Sequence, residues 1–113
     1  MNILVVIPAR GGSKGIPRKN LRLLNGKPLL YYSINTALNS KFDLDVYVSS
    51  EDEEILNTSL QFGAKVHKRD ISIADDKSTL DPVIYACYKY ASQIENKDYD
   101  YIITMQPTSP LLK

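Results

Sequence analysis

The sequence has one cysteine, Cys87, so no disulfide can form within the chain. No apolar run approaches the length needed to cross a bilayer. The short apolar run at the N-terminus has no basic region before it, so it does not read as a signal peptide. These absences predict a cytoplasmic protein in a reducing compartment, with no membrane partner. Internal repeats, low-complexity tracts and linkers are also missing, and 113 residues predict one domain. There is a single histidine, His67, with no cysteine near it, which argues against a metal role for that residue. The most telling absence is acid. Residues 1–42 hold seven Lys/Arg and no Asp/Glu, whereas residues 43–113 hold seven Lys/Arg and thirteen Asp/Glu. The halves carry +7 and −6, although the whole chain is only +1. A chain so nearly neutral makes no case for nucleic acid. Its basic N-terminal part points to a small anionic ligand.

Four apolar runs read as strands: Ile3–Pro8, Leu44–Ser49, Ala64–His67 and Tyr101–Met105. The first and last are almost continuously apolar, which predicts strands covered on both faces. Three helical segments separate them. The first is predicted to start near Pro28, with Leu29, Leu30, Ile34 and Leu38 at helical spacing. The second is predicted to start at Ser50, where Ser50-Glu51-Asp52-Glu53 reads as a capping box. Its apolar stripe is Ile55, Leu56, Leu60 and Phe62, and Gly63 stops it. The third is predicted to start near Thr79, with Val83, Cys87, Tyr90, Ala91 and Ile94 on one face. This alternation predicts an α/β fold of three layers, Rossmann-like, with a mostly parallel sheet. Under a 3-2-1-4 strand order, the loops after the first and fourth strands flank one crevice beyond the C-terminal strand ends.

The loop after the first strand is Ile7-Pro8-Ala9-Arg10-Gly11-Gly12-Ser13-Lys14-Gly15-Ile16-Pro17-Arg18-Lys19-Asn20. It lacks both the P-loop pattern G-x-x-x-x-G-K-[ST] and the dinucleotide pattern G-x-G-x-x-G. Its chemistry still suits phosphate. Gly11, Gly12 and Gly15 can leave backbone N–H groups open to an anion. Arg10 can grip two phosphate oxygens as a fork. Lys14 and Lys19 are point charges suited to the outer phosphates of a triphosphate. Asn20 carries a donor and an acceptor for a ribose hydroxyl or a base edge.

This loop closely resembles the signature of the acylneuraminate cytidylyltransferases, the CMP-sialic acid synthetases. Gln106-Pro107-Thr108-Ser109-Pro110-Leu111 resembles that family's second motif. Asn25-Gly26-Lys27-Pro28-Leu29-Leu30, Val48-Ser49-Ser50 and Phe62-Gly63-Ala64 also fit. The KDO cytidylyltransferases carry a different loop. The resemblance implies transfer of CMP from CTP to the anomeric hydroxyl of a nine-carbon 2-keto sugar acid, with release of pyrophosphate. It implies a nucleotide site made of Ala9, Arg10, Gly11, Ser13, Lys14, Lys19 and Asn20, with Lys14 and Lys19 also catalytic. Arg69 corresponds to a family arginine near the cytosine, and Ser78 or Thr79 to a hydroxyl near the nucleotide. Gln106, Thr108 and Ser109 fall at the sugar site. Mg²⁺ is implied as a cofactor, with its acidic ligands in a later part of the family's chain, and a homodimer is implied for the full-length enzyme.

The chain is thus expected to be the N-terminal half of a single cytidylyltransferase domain. Pseudaminic, legionaminic and KDO-type acids stand as alternative acceptors. A non-catalytic nucleotide-binding module stands as the alternative function. Blander readings hold elsewhere. Cys87 reads as a core thiol, and the tyrosines as packing residues. Asp75, Asp76 and Asp81 read as solvated or dipole-matched acids rather than metal ligands.

Overall fold

The computed structural model describes residues 1–9, 23–24, 27–69 and 80–105. In chain order the elements are β1 (Ile3–Pro8), β2 (Leu23–Leu24), β3 (Lys27–Pro28), α1 (Leu29–Leu38), β4 (Leu44–Ser50), α2 (Glu53–Gln61), β5 (Lys65–Lys68), α3 (Leu80–Glu95) and β6 (Tyr101–Thr104). Four strands form one sheet in the order β5-β4-β1-β6, all parallel. This is the predicted 3-2-1-4 order. The short β2 and β3 pair antiparallel just before α1, a feature the sequence did not suggest.

Side-chain alternation along β1 and β4 divides the core into two layers. Val5, Ile7, Val46 and Val48 face α1 and α2, where they meet Leu30, Ile34, Ala37 and Ile55. Leu4, Val6 and Tyr47 point the other way, onto Cys87 and Ala91 of α3. Strands buried on both faces need near-continuous apolar sequence, and β1 has it, whereas the buried stretch of β4, from Val46 to Ser50, ends in two serines. Burying a side chain such as Leu30 or Ile34 contributes about 1.5–3 kcal/mol. Cys87 is fully buried, and that burial pushes its thiol up to about 12, so it is the inert core residue expected.

Several local expectations are corrected. The second helix starts at Glu53, not Ser50. Ser50 ends β4, and its Oγ accepts from the Asp52 N–H at 3.1 Å. Asp52 is the true N-cap, and its Oδ1 accepts from the Glu54 N–H at 2.8 Å. Gly63 does stop this helix, with φ +96. A Cβ there would also lie 3.3 Å from Leu38 Cδ1, so α1 and the end of α2 approach closely because the residue is glycine. Leu38, Leu60, Tyr90 and Ile94 are exposed rather than core. Leu38, Leu60 and Ile94 lie in the last two residues of their helices, while Tyr90, though exposed, still rests its ring against His67 of β5.

The largest correction concerns β6. Ile102 and Ile103 point to opposite faces, yet both are exposed, as is Tyr101. Among the described residues β6 is the outer strand, hydrogen-bonded only to β1, and neither of its faces is covered. No described helix is long and apolar enough to cross a membrane.

Candidate functional site

The chain moves outward from β1 to β4 and β5, then returns across the other face to place β6 on the far side of β1. The strand order therefore reverses at β1, between β4 and β6. In open parallel sheets this point, beyond the C-terminal strand ends, is where a crevice opens and ligands sit. Ala9 follows β1 there and Met105 follows β6, and the Met105 N–H donates to the Val6 carbonyl at 3.0 Å. The glycine–basic segment continues from Ala9 and the Gln106 motif from Met105, so both begin at the switch point.

Of the predicted site residues, Ala9 and Arg69 are described. Arg10, Gly11, Ser13, Lys14, Lys19, Asn20, Ser78, Thr79, Gln106, Thr108 and Ser109 lie outside the described residues, as do Asp75 and Asp76.

Arg69 follows β5 and is buried, with only 2% of its side chain exposed. Its guanidinium reaches across two strand ends. Nη1 donates to the Ser49 carbonyl at 2.7 Å and Nη2 to the Ala9 carbonyl at 3.0 Å. Nη2 also lies 3.8 Å from Glu51 Oε1. The Ala9 N–H donates to the same Ser49 carbonyl at 3.0 Å, and the Arg69 N–H to the Ser50 carbonyl at 3.0 Å. One planar side chain thus joins the ends of β1, β4 and β5. It closes a bracket around Ala9, the residue directly before Arg10 and Gly11. A planar fork suits this task better than an ammonium does.

A second buried pair backs the bracket. Ser49 Oγ and His67 Nδ1 lie 2.9 Å apart, and the two residues face each other in the β4–β5 register. The imidazole rests against the Tyr90 ring of α3, with centroids 5.0 Å apart. Burial, and then the Arg69 charge, hold His67 below its ordinary value of 6.5. Sequence reasoning missed this pair. The available signal was a serine at an inward position of an apolar strand, opposite the chain's one histidine.

This shift predicts a pH dependence. Below 6.5 the unfolded chain takes up a proton that the folded His67 resists. The stabilisation is therefore complete above 6.5 and is lost as pH falls through the folded-state value. Thermal melts between pH 7.5 and 5 are expected to show a larger fall for the wild type than for His67→Asn, which does not titrate.

Among the described residues no three His, Cys, Asp or Glu side chains converge as a metal site. The arrangement offers instead an anchored loop root beside a sheet crevice.

Comparison with known proteins adds to this geometry. The sequence matches the family described as Cytidylyltransferase over residues 4–113. It is 44% identical to a pseudaminic acid cytidylyltransferase of Campylobacter jejuni, over 99% of this chain and 48% of that protein. It is 41% identical to N-acylneuraminate cytidylyltransferase A of Danio rerio, over 98% of this chain and 25% of that protein. A solved structure of CMP:2-keto-3-deoxy-manno-octonic acid synthetase complexed with CTP superposes with a TM-score of 0.76 at 25% identity. That superposition covers 100% of this chain and 43% of the other. The chain therefore spans half or less of the length of these relatives.

Proposed function

Because the chain belongs to the cytidylyltransferase family, we propose that it carries the CTP-binding half of an enzyme that activates a nonulosonic acid. The observation that carries this reading is the switch point at β1. Two motifs far apart in sequence, one glycine-rich and basic and one beginning at Gln106, both start there.

In this reading Arg10, Lys14 and Lys19 hold the triphosphate, with Gly11 and Ser13 lending backbone N–H groups. Asn20 meets the nucleoside, and Ser78 or Thr79 lies close to it. Gln106, Thr108 and Ser109 meet the sugar acid. The anomeric oxygen of the acid attacks the α-phosphorus, the bond to the bridging oxygen breaks, and pyrophosphate leaves. Transfer of this kind rests on positioning and charge neutralisation, which a dense set of cations at the phosphates can supply. Mg²⁺ bound elsewhere in the longer enzyme would add further neutralisation of the phosphates. No described residue is assigned to it.

Relatives named for pseudaminic and N-acylneuraminic acids support the nonulosonate class. The residues proposed here for the nucleotide do not discriminate between those acids. Calorimetric titration of the chain with CTP tests the binding half, with ATP and GTP as controls. Saturable heat from CTP alone is expected, and no heat from a folded chain overturns the reading. Pyrophosphate release by the longer enzyme that contains this chain, with pseudaminic, legionaminic, N-acetylneuraminic and KDO acids in turn, then assigns the acceptor. Heat without pyrophosphate from any acid favours the alternative, a nucleotide-binding module without turnover.

A further inference from the structure

We infer that Ser49 and His67 form a positioning pair for the nucleotide loop, acting through the Ser49 peptide and the Arg69 fork. The consequence for CTP rests on the function proposed above, while the effect on Ala9 does not.

The argument follows the bonds. The Ser49 carbonyl carries two loads, the Ala9 N–H at 3.0 Å and Arg69 Nη1 at 2.7 Å. Its placement therefore sets both the end of β1 and the fork. The peptide lies near the end of β4, where the ladder is about to stop. The same residue's side chain is tied to His67 at 2.9 Å inside the protein, with Ser49 fully buried and His67 nearly so. His67 belongs to β5, two residues before Arg69, so β5 and the residue directly after it hold Ser49 by its side chain and again by its carbonyl. Tyr90 closes the other side of the imidazole. A strand end held at two points has little freedom, and Ala9, hydrogen-bonded through both N–H and C=O, inherits that rigidity. Loop residues that must meet a triphosphate start one bond later. Order already present in the free protein is not lost again on binding.

The groups around His67 are the Ser49 hydroxyl from β4, the Arg69 guanidinium beyond β5, and the Tyr90 ring from α3. Glu51 Oε1 lies 3.8 Å from Nη2 of the fork. None of these is expected at the reacting phosphorus, so the pair is a positioning element rather than a catalytic one.

Three variants test it: Ser49→Ala, His67→Leu and His67→Asn. Asparagine places an amide atom where Nδ1 stands, so it restores the bond to Ser49 without a titrating ring. The first readout is hydrogen exchange at the Ala9 amide. Ser49→Ala and His67→Leu are expected to speed it at least about tenfold relative to Val5 in the same strand, and His67→Asn to leave it nearly unchanged. The second is CTP affinity, expected to weaken roughly 3–10-fold in the first two variants and to recover in the third, the scale of one buried hydrogen bond. Since His67 is the only histidine, its ring proton signals also report directly whether CTP binding reaches it.

Unchanged Ala9 exchange in folded Ser49→Ala overturns the inference, whatever CTP does. So does an Asn variant as impaired as the Leu variant. A wild type that ignores CTP, with Ala9 exchange still responding to Ser49→Ala, overturns the CTP reading and leaves the positioning pair standing.

Discussion

Replacing Arg69 by methionine is expected to lower the stability of this chain by about 3–5 kcal/mol, the usual cost of removing one member of a buried charged pair. Methionine keeps the stem volume but offers no donor. Two hydrogen bonds vanish, to the Ser49 and Ala9 carbonyls. Each bond to a charged group contributes roughly 1.5–3 kcal/mol. The Ser49 carbonyl retains the Ala9 N–H, whereas the Ala9 carbonyl loses its bond to the fork. Glu51 loses its nearby cation. For a domain near this size, each kcal/mol moves the melting temperature by about 4–8 °C, so a fall well above ten degrees is expected. Arg69→Lys should recover less than half of it, because one ammonium cannot serve two carbonyls in a planar fork. A methionine variant melting within three degrees or so of wild type would remove Arg69 from the bracket. A loss of CTP affinity is expected with that destabilisation, through the loop root as well as through any contact of the side chain with cytosine.

That role of Arg69 illustrates what the sequence could and could not carry. The four sheet strands, their parallel order and the switch point were legible, because continuous apolar runs separated by helical periods leave few arrangements. The two motif positions followed from strand ends alone. The resemblance places Arg69 near the cytosine, and the structure adds that its guanidinium holds the Ser49 and Ala9 carbonyls. Its burial depends on three strand ends, residues 9, 49 and 69, meeting in space. No local pattern encodes such a meeting. Ser50 misled for a related reason. Its spacing to Glu53 satisfies a capping box, but the strand continues through it, and its hydroxyl takes the Asp52 N–H instead. In β6, apolarity was read as burial. Composition reports what a strand is built to pack against, while coverage depends on which elements are there, and no described element covers Ile102 and Ile103. Helix ends fared worst. Leu38, Leu60 and Ile94 keep the period of the buried stripe at the ends of their helices yet are exposed, and a periodic pattern does not show which of its positions the sheet covers.

The other large effect should come from the basic loop itself. Arg10→Ala is expected to weaken CTP binding about 10–100-fold, the range for losing charge-assisted contacts of roughly 1.5–3 kcal/mol. Arg10→Ala with Lys14→Ala should weaken it by more than about 100-fold, provided the two cations hold different phosphate oxygens and their losses nearly add. Arg10→Lys separates charge from geometry. It preserves the long-range attraction but not the fork, so its affinity should fall between wild type and alanine. Charge also predicts a salt response. All seven bases of residues 1–42 are unbalanced by acids in that segment, so wild-type affinity should drop as ionic strength rises, and less steeply in the double variant. Lys97→Ala is the control. That lysine pairs with Asp45 at 2.9 Å at the start of β4, the opposite end of the sheet from the switch point. It should leave affinity and salt slope unchanged. If the double variant folds and binds CTP as tightly as wild type, the nucleotide is not held by this loop. The excess of positive charge would then be a solvated surface, and the case for a triphosphate at the end of β1 would fall with it.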